Sequence, residues 1–171
     1  MAHILSVVGY ADSGKTTFLE GLLPVLRSRG LKVAVIKHHG HNDDCCEAEV
    51  GKDTWRLAQA GASPVGLVQG NRLSLDFTFP TAPTPTELGE LIGGGVDLVI
   101  TEGFKRAENP KIEVWRHADQ AEPACLDDPN LIGLVTCHEC SLNVPMFRLD
   151  DYQAVAELII TYFGLGQGRT E

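Results

Sequence analysis

Uninterrupted apolar runs alternate with stripes of helical period along this chain, which predicts a parallel sheet covered by helices. Ile4, Leu5, Val7 and Val8 read as a first strand. From Lys15 to Arg29, Phe18, Leu19, Leu22, Leu23 and Leu26 recur at helical spacing, with Arg27 and Arg29 at the end and Gly30 as the stop. Pro24 predicts a kink in that helix. Lys32–Lys37 carries the run Val33-Ala34-Val35-Ile36, which fits a strand buried on both faces. A polar loop from His38 to Lys52 follows, and Asp53 caps a short helix that ends at Gly61.

The period then changes to two. Val65–Gln69, the pair Gly70-Asn71, and the alternation Leu73, Leu75, Phe77, Phe79 predict a hairpin whose second strand has one wet face, near an edge or a partner. Pro80, Pro83 and Pro85 predict an extended linker, and 86–92 a short helix. Val96–Thr101 is a buried strand ending at Glu102-Gly103, and Ile112–Trp115 and Leu131–Val135 are further strands. Asp150 and Gln153 resemble a capping box before a last helix with Val155, Leu158, Ile159 and Tyr162 inward. The expected fold class is α/β: a mostly parallel, helix-flanked sheet with an antiparallel hairpin extension. One domain is expected over 1–164, with a flexible tail at 165–171.

Composition narrows the function classes. A net charge of −9 disfavours nucleic acid or an anionic membrane as the main partner, although a local phosphate site remains compatible with it. No apolar run reaches spanning length, and the first apolar stretch has no basic region before it, so a cytoplasmic protein is expected. Five cysteines, an odd count, then read as reduced thiols.

The chemistry begins directly after the first strand. Gly9-Tyr10-Ala11-Asp12-Ser13-Gly14-Lys15-Thr16 fits G-x-x-x-x-G-K-[ST], the phosphate-binding loop of P-loop NTPases. Gly9 and Gly14 let the chain curl, so that backbone N–H groups of the loop and of the following helix face an anion. Lys15 is expected on the β- and γ-phosphates, and the Thr16 hydroxyl on Mg²⁺. Asp12, Ser13 and Thr17 complete the expected nucleotide-binding stretch. In open parallel sheets ligands sit outside the carboxyl ends of the strands. The Lys37–Asp44 loop and Glu102–Lys105 should therefore meet the phosphate loop, adding Lys37, His38 and Lys105. Glu102 ends its strand and is the candidate acid for the metal and the attacking water, whereas Asp97 begins the strand and should lie at the wrong end.

Three further constellations stay open. His38 to Cys46 holds three histidines, two aspartates and two cysteines. It reads as a nucleotide-responsive loop with Asp43 or Asp44 near Mg²⁺, as a Zn²⁺ or Ni²⁺ site, or as a solvated loop. Cys137-His138-Glu139-Cys140 has C-x-x-C spacing without a partner pair, weak evidence for metal or redox chemistry. Lys105, Lys111 and Arg116 form a basic group that either contacts a phosphorylated ligand or is solvated. A small-molecule kinase would need an arginine-rich lid, which the chain lacks.

Taken together, the motifs resemble the MobB family of molybdopterin-guanine dinucleotide biosynthesis adapters. The matching residues are Val7–Tyr10 through Lys15-Thr16-Thr17, Val33–His38, Gly51-Lys52-Asp53 with Arg56, Ala60-Gly61-Ala62, Asp97–Ile100 with Glu102–Lys105, and Pro110–Val114. The resemblance implies a GTP·Mg²⁺-binding adapter with weak GTP hydrolysis, a homodimer, and a molybdopterin guanylyltransferase as partner. Catalytic roles fall on Lys15 and Glu102, and metal roles on Thr16, Glu102 and Asp43. The basic group makes molybdopterin itself a possible ligand. One departure stands out: where a guanine-reading Asp is expected after a late strand, this chain has Cys137-His138-Glu139. The alternative is a metal-delivery GTPase using the 38–46 loop.

Overall fold

The computed structural model describes residues 2–39, 53–116, 122–138 and 142–166. They fall into two compact units: 40–83, and the remainder of the chain.

The larger unit is built on a six-stranded parallel sheet. Its strands are β1 (His3–Val8), β2 (Val33–Lys37), β5 (Leu98–Glu102), β6 (Lys111–Trp115), β7 (Leu131–Thr136) and β8 (Met146–Phe147), in the order β2-β5-β1-β6-β7-β8. Side chains of β1 alternate between the two faces. Leu5 and Val7 join Phe18, Leu19, Leu22 and Leu26 of α1 (Lys15–Ser28) and Val155, Ala156 and Ile159 of α4 (Tyr152–Phe163) in the main core. On the other face Ile4 meets Gly89 of α3 (Pro85–Ile92), and Val8 packs with Cys125 and Leu131. Gly21 of α1 lets Tyr152 of α4 pack against the helix: a Cβ there would lie 2.2 Å from the Tyr152 ring.

The smaller unit contains α2 (Asp53–Gln59) and an antiparallel pair, β3 (Val65–Gln69) and β4 (Arg72–Asp76), turned at Gly70 with φ +61. Leu67, Val68, Leu73 and Leu75 of this hairpin are exposed.

Several local expectations change. β2 is an edge strand, not one buried on both faces, and Val35 is 42% exposed. An apolar run does not tell a sheet edge from its centre. β4 ends at Asp76, before Phe77 and Phe79. Pro85 belongs to α3 rather than to the linker: its fixed φ suits the first turn, and Thr84 and Glu87 form a reciprocal capping box there. The capping box expected of Asp150 and Gln153 does not form: the N-cap residue of α4 is Asp151, whose carboxylate accepts from the Arg148 N–H, and Gln153 accepts from Arg29. Tyr162 faces outward at 52% exposure, with Ala156 buried in the helix stripe. Leu165, expected in the tail, is buried against the core. β8 is a two-residue strand that carried no sequence signal.

Candidate functional site

At the carboxyl end of β1 the chain turns through 9–14 into α1. Gly9 has φ +142, and a Cβ there would sit 2.3 Å from the Val114 carbonyl oxygen of β6, so only glycine fits. Asp12 at φ +56 and Gly14 at φ +88 also take left-handed backbone. Such reversals turn successive N–H groups toward one point and make an anion nest. No side chain caps α1, so its first N–H groups are directed to the same place. The buried Ser13 hydroxyl has no hydrogen-bond partner among the described residues, a cost that a phosphate oxygen relieves.

Charged groups converge on this turn. Lys15 Nζ donates to the Tyr10 carbonyl at 2.6 Å and the Gly9 carbonyl at 3.4 Å. Burial holds its pKa below the usual lysine range, helped by Lys105 and Lys37 and opposed by Glu102. The Thr16 hydroxyl donates to the Glu102 carboxylate, 2.9 Å from Oε1 and 3.0 Å from Oε2. Lys37 Nζ stands 3.4 Å from Glu102 Oε1 and 3.4 Å from Thr16 Oγ1. One hydroxyl and one largely buried carboxylate thus share a cation. This oxygen donor set suits a hard divalent ion such as Mg²⁺, with Lys37 occupying the cationic place.

Neighbouring segments frame the turn. The His38 N–H donates to the Glu102 carbonyl, and its ring packs on Phe104 at 4.3 Å between centroids. Phe104 has φ +57, so the 103–105 corner is fixed by backbone turned left-handed on both Gly103 and Phe104. Lys105 Nζ lies 4.5 Å from the Tyr10 ring centroid, a cation–π contact. Below the site, Ser6 and Thr101 share a hydrogen bond of 2.7 Å, and Asn109 donates to Ser6 at 2.8 Å, tying β1, β5 and the approach to β6 together.

The structure therefore brings together Gly9, Asp12, Ser13, Gly14, Lys15, Thr16, Lys37, His38, Glu102 and Lys105. Thr17 is exposed in the first turn of α1. Asp97 lies at the opposite end of β5, where it accepts from the Lys32 N–H. Asp43, the rest of the 40–46 cluster, Glu139 and Cys140 lie outside the described residues. Among the described residues no group of three His, Cys, Asp or Glu side chains is arranged to hold a metal.

Lys111 departs from both of its expected readings. It is fully buried, neither solvated nor a phosphate contact, and its Nζ is 2.9 Å from Asp128 Oδ2 and bonds the Ala107 and Asn109 carbonyls. Glu113 is also fully buried and was not singled out: it accepts from the Ala124 and Cys125 N–H groups at 2.6 and 2.8 Å. Burial raises its pKa against those two hydrogen bonds and Lys105. Tyr10 was a variable position of the motif, yet it supplies a carbonyl to Lys15 and a ring to Lys105.

Comparison with known proteins gives a consistent outcome. The family described as MobB, molybdopterin guanine dinucleotide synthesis protein B, matches residues 4–137. A molybdopterin-guanine dinucleotide biosynthesis adapter protein of Haemophilus influenzae is 32% identical over 157 residues, which is 91% of this chain and 86% of that protein. A probable adapter of the same description from Bacillus subtilis is 32% identical over 163 residues, covering 89% and 88%. A crystal structure of molybdopterin-guanine biosynthesis protein B superposes with a TM-score of 0.73 at 29% identity, covering 93% of this chain and 99% of the other.

Proposed function

This chain belongs to the MobB family, adapters of molybdopterin-guanine dinucleotide biosynthesis, and on that premise we propose that it acts by binding GTP with Mg²⁺. The observation that carries the reading is the Thr16–Glu102 pair beside Lys15, at the mouth of a loop whose backbone forms an anion nest. Gly9 to Thr17 and the start of α1 hold the phosphates. Thr16 and Glu102 hold Mg²⁺, which when bound neutralises developing phosphate charge. Lys15, which donates to the Tyr10 carbonyl, would turn to the phosphate chain, and Lys37, beside Thr16 and Glu102, would add a second positive charge there.

Hydrolysis in this proposal is weak and the main role is accessory. Lys15, Lys37 and Lys105 supply charge to the phosphates, but among the described residues no Gln stands at the 9–16 turn to orient water. The enzyme partner is proposed to be the molybdopterin guanylyltransferase, with the adapter working as a homodimer in the cytoplasm. The exposed apolar side chains of the β3–β4 hairpin support self-association. The metal-delivery alternative is set aside, because the family and its relatives are named for dinucleotide biosynthesis.

The test is calorimetric titration of GTP and of ATP, with Mg²⁺, into the protein and into Lys15→Ala. GTP binding that Lys15→Ala abolishes, with the fold retained by circular dichroism, is expected. Equal affinity in the variant overturns the site. Equal affinity for ATP overturns the guanine preference while leaving the phosphate site standing.

A further inference from the structure

The sheet order places β1 between β5 and β6, so the phosphate loop has two flanks. On the β5–β2 flank stand Glu102 and Lys37. On the other, β6 ends at Trp115, and the next residue, Arg116, lies against the loop. A Cβ built on Gly14 would be 3.6 Å from Arg116 Nη1 and 3.9 Å from its Cδ. The guanidinium thus stands beside the residue that opens α1, close enough to fill the space a side chain there would take, where the helix N-terminus gathers anions.

The arginine is also anchored. His138, just past the end of β7, makes a 2.8 Å hydrogen bond from Nε2 to the Arg116 carbonyl. Because the acceptor is a carbonyl, Nε2 carries the proton. The His138 ring leans on Trp115 at 5.0 Å between centroids, and the Cys137 thiol points to the same carbonyl at 3.6 Å. The ends of β6 and β7 are therefore locked to each other beside the loop. Of the basic residues Lys105, Arg106, Lys111 and Arg116, Lys111 is paired with Asp128 and Lys105 stands over the Tyr10 ring, while Arg106 does not come within 4 Å of a Cβ built on Gly14. Arg116 alone reaches Gly14.

We infer that Arg116 is a phosphate-binding residue of this site, gripping the phosphate chain of a nucleoside di- or triphosphate from the β6 flank, with His138 as the positioning residue that fixes its backbone. The inference rests on the nucleotide reading above. A planar guanidinium matches two phosphate oxygens at once, which an ammonium does not. The resulting arrangement has Lys37 on one side of the phosphates, Arg116 on the other, and Lys15 between.

The test compares wild type, Arg116→Ala, Arg116→Lys, His138→Ala and Lys15→Ala by calorimetry with Mg²⁺·GTP, GDP and guanosine. Arg116→Ala should lose about ten- to a hundredfold in affinity for GTP and GDP, the range for hydrogen bonds to a charged group, with guanosine unchanged. Arg116→Lys should recover part of that loss, and His138→Ala should lose less than Arg116→Ala. If Arg116→Ala binds GTP like wild type while Lys15→Ala does not, the inference falls and the nucleotide reading survives. If guanosine and GTP weaken equally in Arg116→Ala, the residue does not contact phosphate and the inference also falls. If Lys15→Ala binds GTP normally, the failure belongs to the nucleotide reading itself.

Discussion

Asp128→Asn should destabilise this protein more than Lys111→Met, although both break the same ion pair. The asymmetry follows from exposure. The Lys111 side chain is 0% exposed and that of Asp128 is 22% exposed. In Asp128→Asn a full positive charge stays in the core with neutral acceptors alone, the Ala107 and Asn109 carbonyls and the new amide oxygen. Removing one partner of a buried pair in this way costs about 3–5 kcal/mol. In Lys111→Met the remaining carboxylate still accepts the Asn130 N–H and side-chain amide, at 2.9 and 3.2 Å, and has access to water. The apolar stem is largely replaced, so the loss is about 1–2 kcal/mol. At about 2–4 °C per kcal/mol for a chain of this size, Asp128→Asn lowers the melting temperature by about 6–20 °C and Lys111→Met by about 2–8 °C. Urea unfolding followed by circular dichroism at pH 7 gives the free energies directly. The double variant should be more stable than Asp128→Asn alone, since it removes the stranded charge. Lys111→Met proving as costly as Asp128→Asn, or a double variant less stable than Asp128→Asn, refutes the reasoning.

Acid titration reports on the same pair: burial pushes the Asp128 carboxyl up, but the bonds from Lys111 and Asn130 outweigh this and hold it below its ordinary 3.8. Its stabilisation is then present above pH 3.8 and lost as pH falls toward the folded value, so wild type should lose more stability than Asp128→Asn below pH 4 in melts between pH 5 and 2.5. Glu113 carries the opposite sign: its pKa is raised above 4.5 by burial, so the stability it contributes declines as pH rises through the raised value, and a Glu113→Gln difference that is flat from pH 4 to 7 contradicts this. Gly21→Ala should destabilise by about 1 kcal/mol, because displacing the Tyr152 ring from Phe18 outweighs the gain in helix propensity; in a Tyr152→Ala background the same change should stabilise by about 0.5–1 kcal/mol, and a stabilised single variant refutes the contact. Glu102→Gln should keep the fold and weaken the Mg²⁺ dependence of GTP binding and hydrolysis by about ten- to a hundredfold, and unchanged Mg²⁺ titration curves would remove Glu102 from the metal site.

Legibility in the sequence followed the range of the physics. The hairpin was readable because its cause is local: Gly70-Asn71 between two alternating runs fixes register within twelve residues, from Val65 to Asp76. The phosphate loop was readable because glycine at 9 and 14 and lysine at 15 are each forced by backbone shape or charge. The position of Glu102 beside Thr16 was legible because a carboxylate that ends a parallel strand lies on the side of the phosphate loop. Properties set by distant partners were not readable. The run Val33–Ile36 looks like an inner strand, and only strand order reveals an edge. Lys111 looks like a surface cation, and only the fold brings Asp128 to it from 17 residues away. Asp150 looks able to cap the last helix with Gln153, yet the N-cap residue is Asp151, whose carboxylate accepts from the Arg148 N–H. Tyr10 and Glu113 fall within the stretches that carry the family resemblance, but their contacts are not legible there, since their partners come from 105 and from 124–125.

An overall charge of −9 and a phosphate-binding role are reconciled by placement. Lys15, Lys37, Lys105 and Arg116 come from α1, β2, the turn after β5 and the end of β6, and the parallel sheet delivers all four to one edge. Apart from Asp12 and Glu102 at the loop itself, acidic groups such as Asp97 at the far end of β5, Glu157 on α4 with Arg29, and Asp128 beside Lys111 lie away from it. With a Debye length of about 8 Å at physiological salt, charges on remote surfaces are screened from the loop, while cations at contact distance are not. The Glu102 carboxylate accepts from the Thr16 hydroxyl, and in the proposed function these two residues would hold Mg²⁺, whose charge would offset the repulsion between the carboxylate and an anionic ligand. A local field of this kind is what the proposed function requires of an acidic chain, since net charge acts on solubility and association rather than on a contact site.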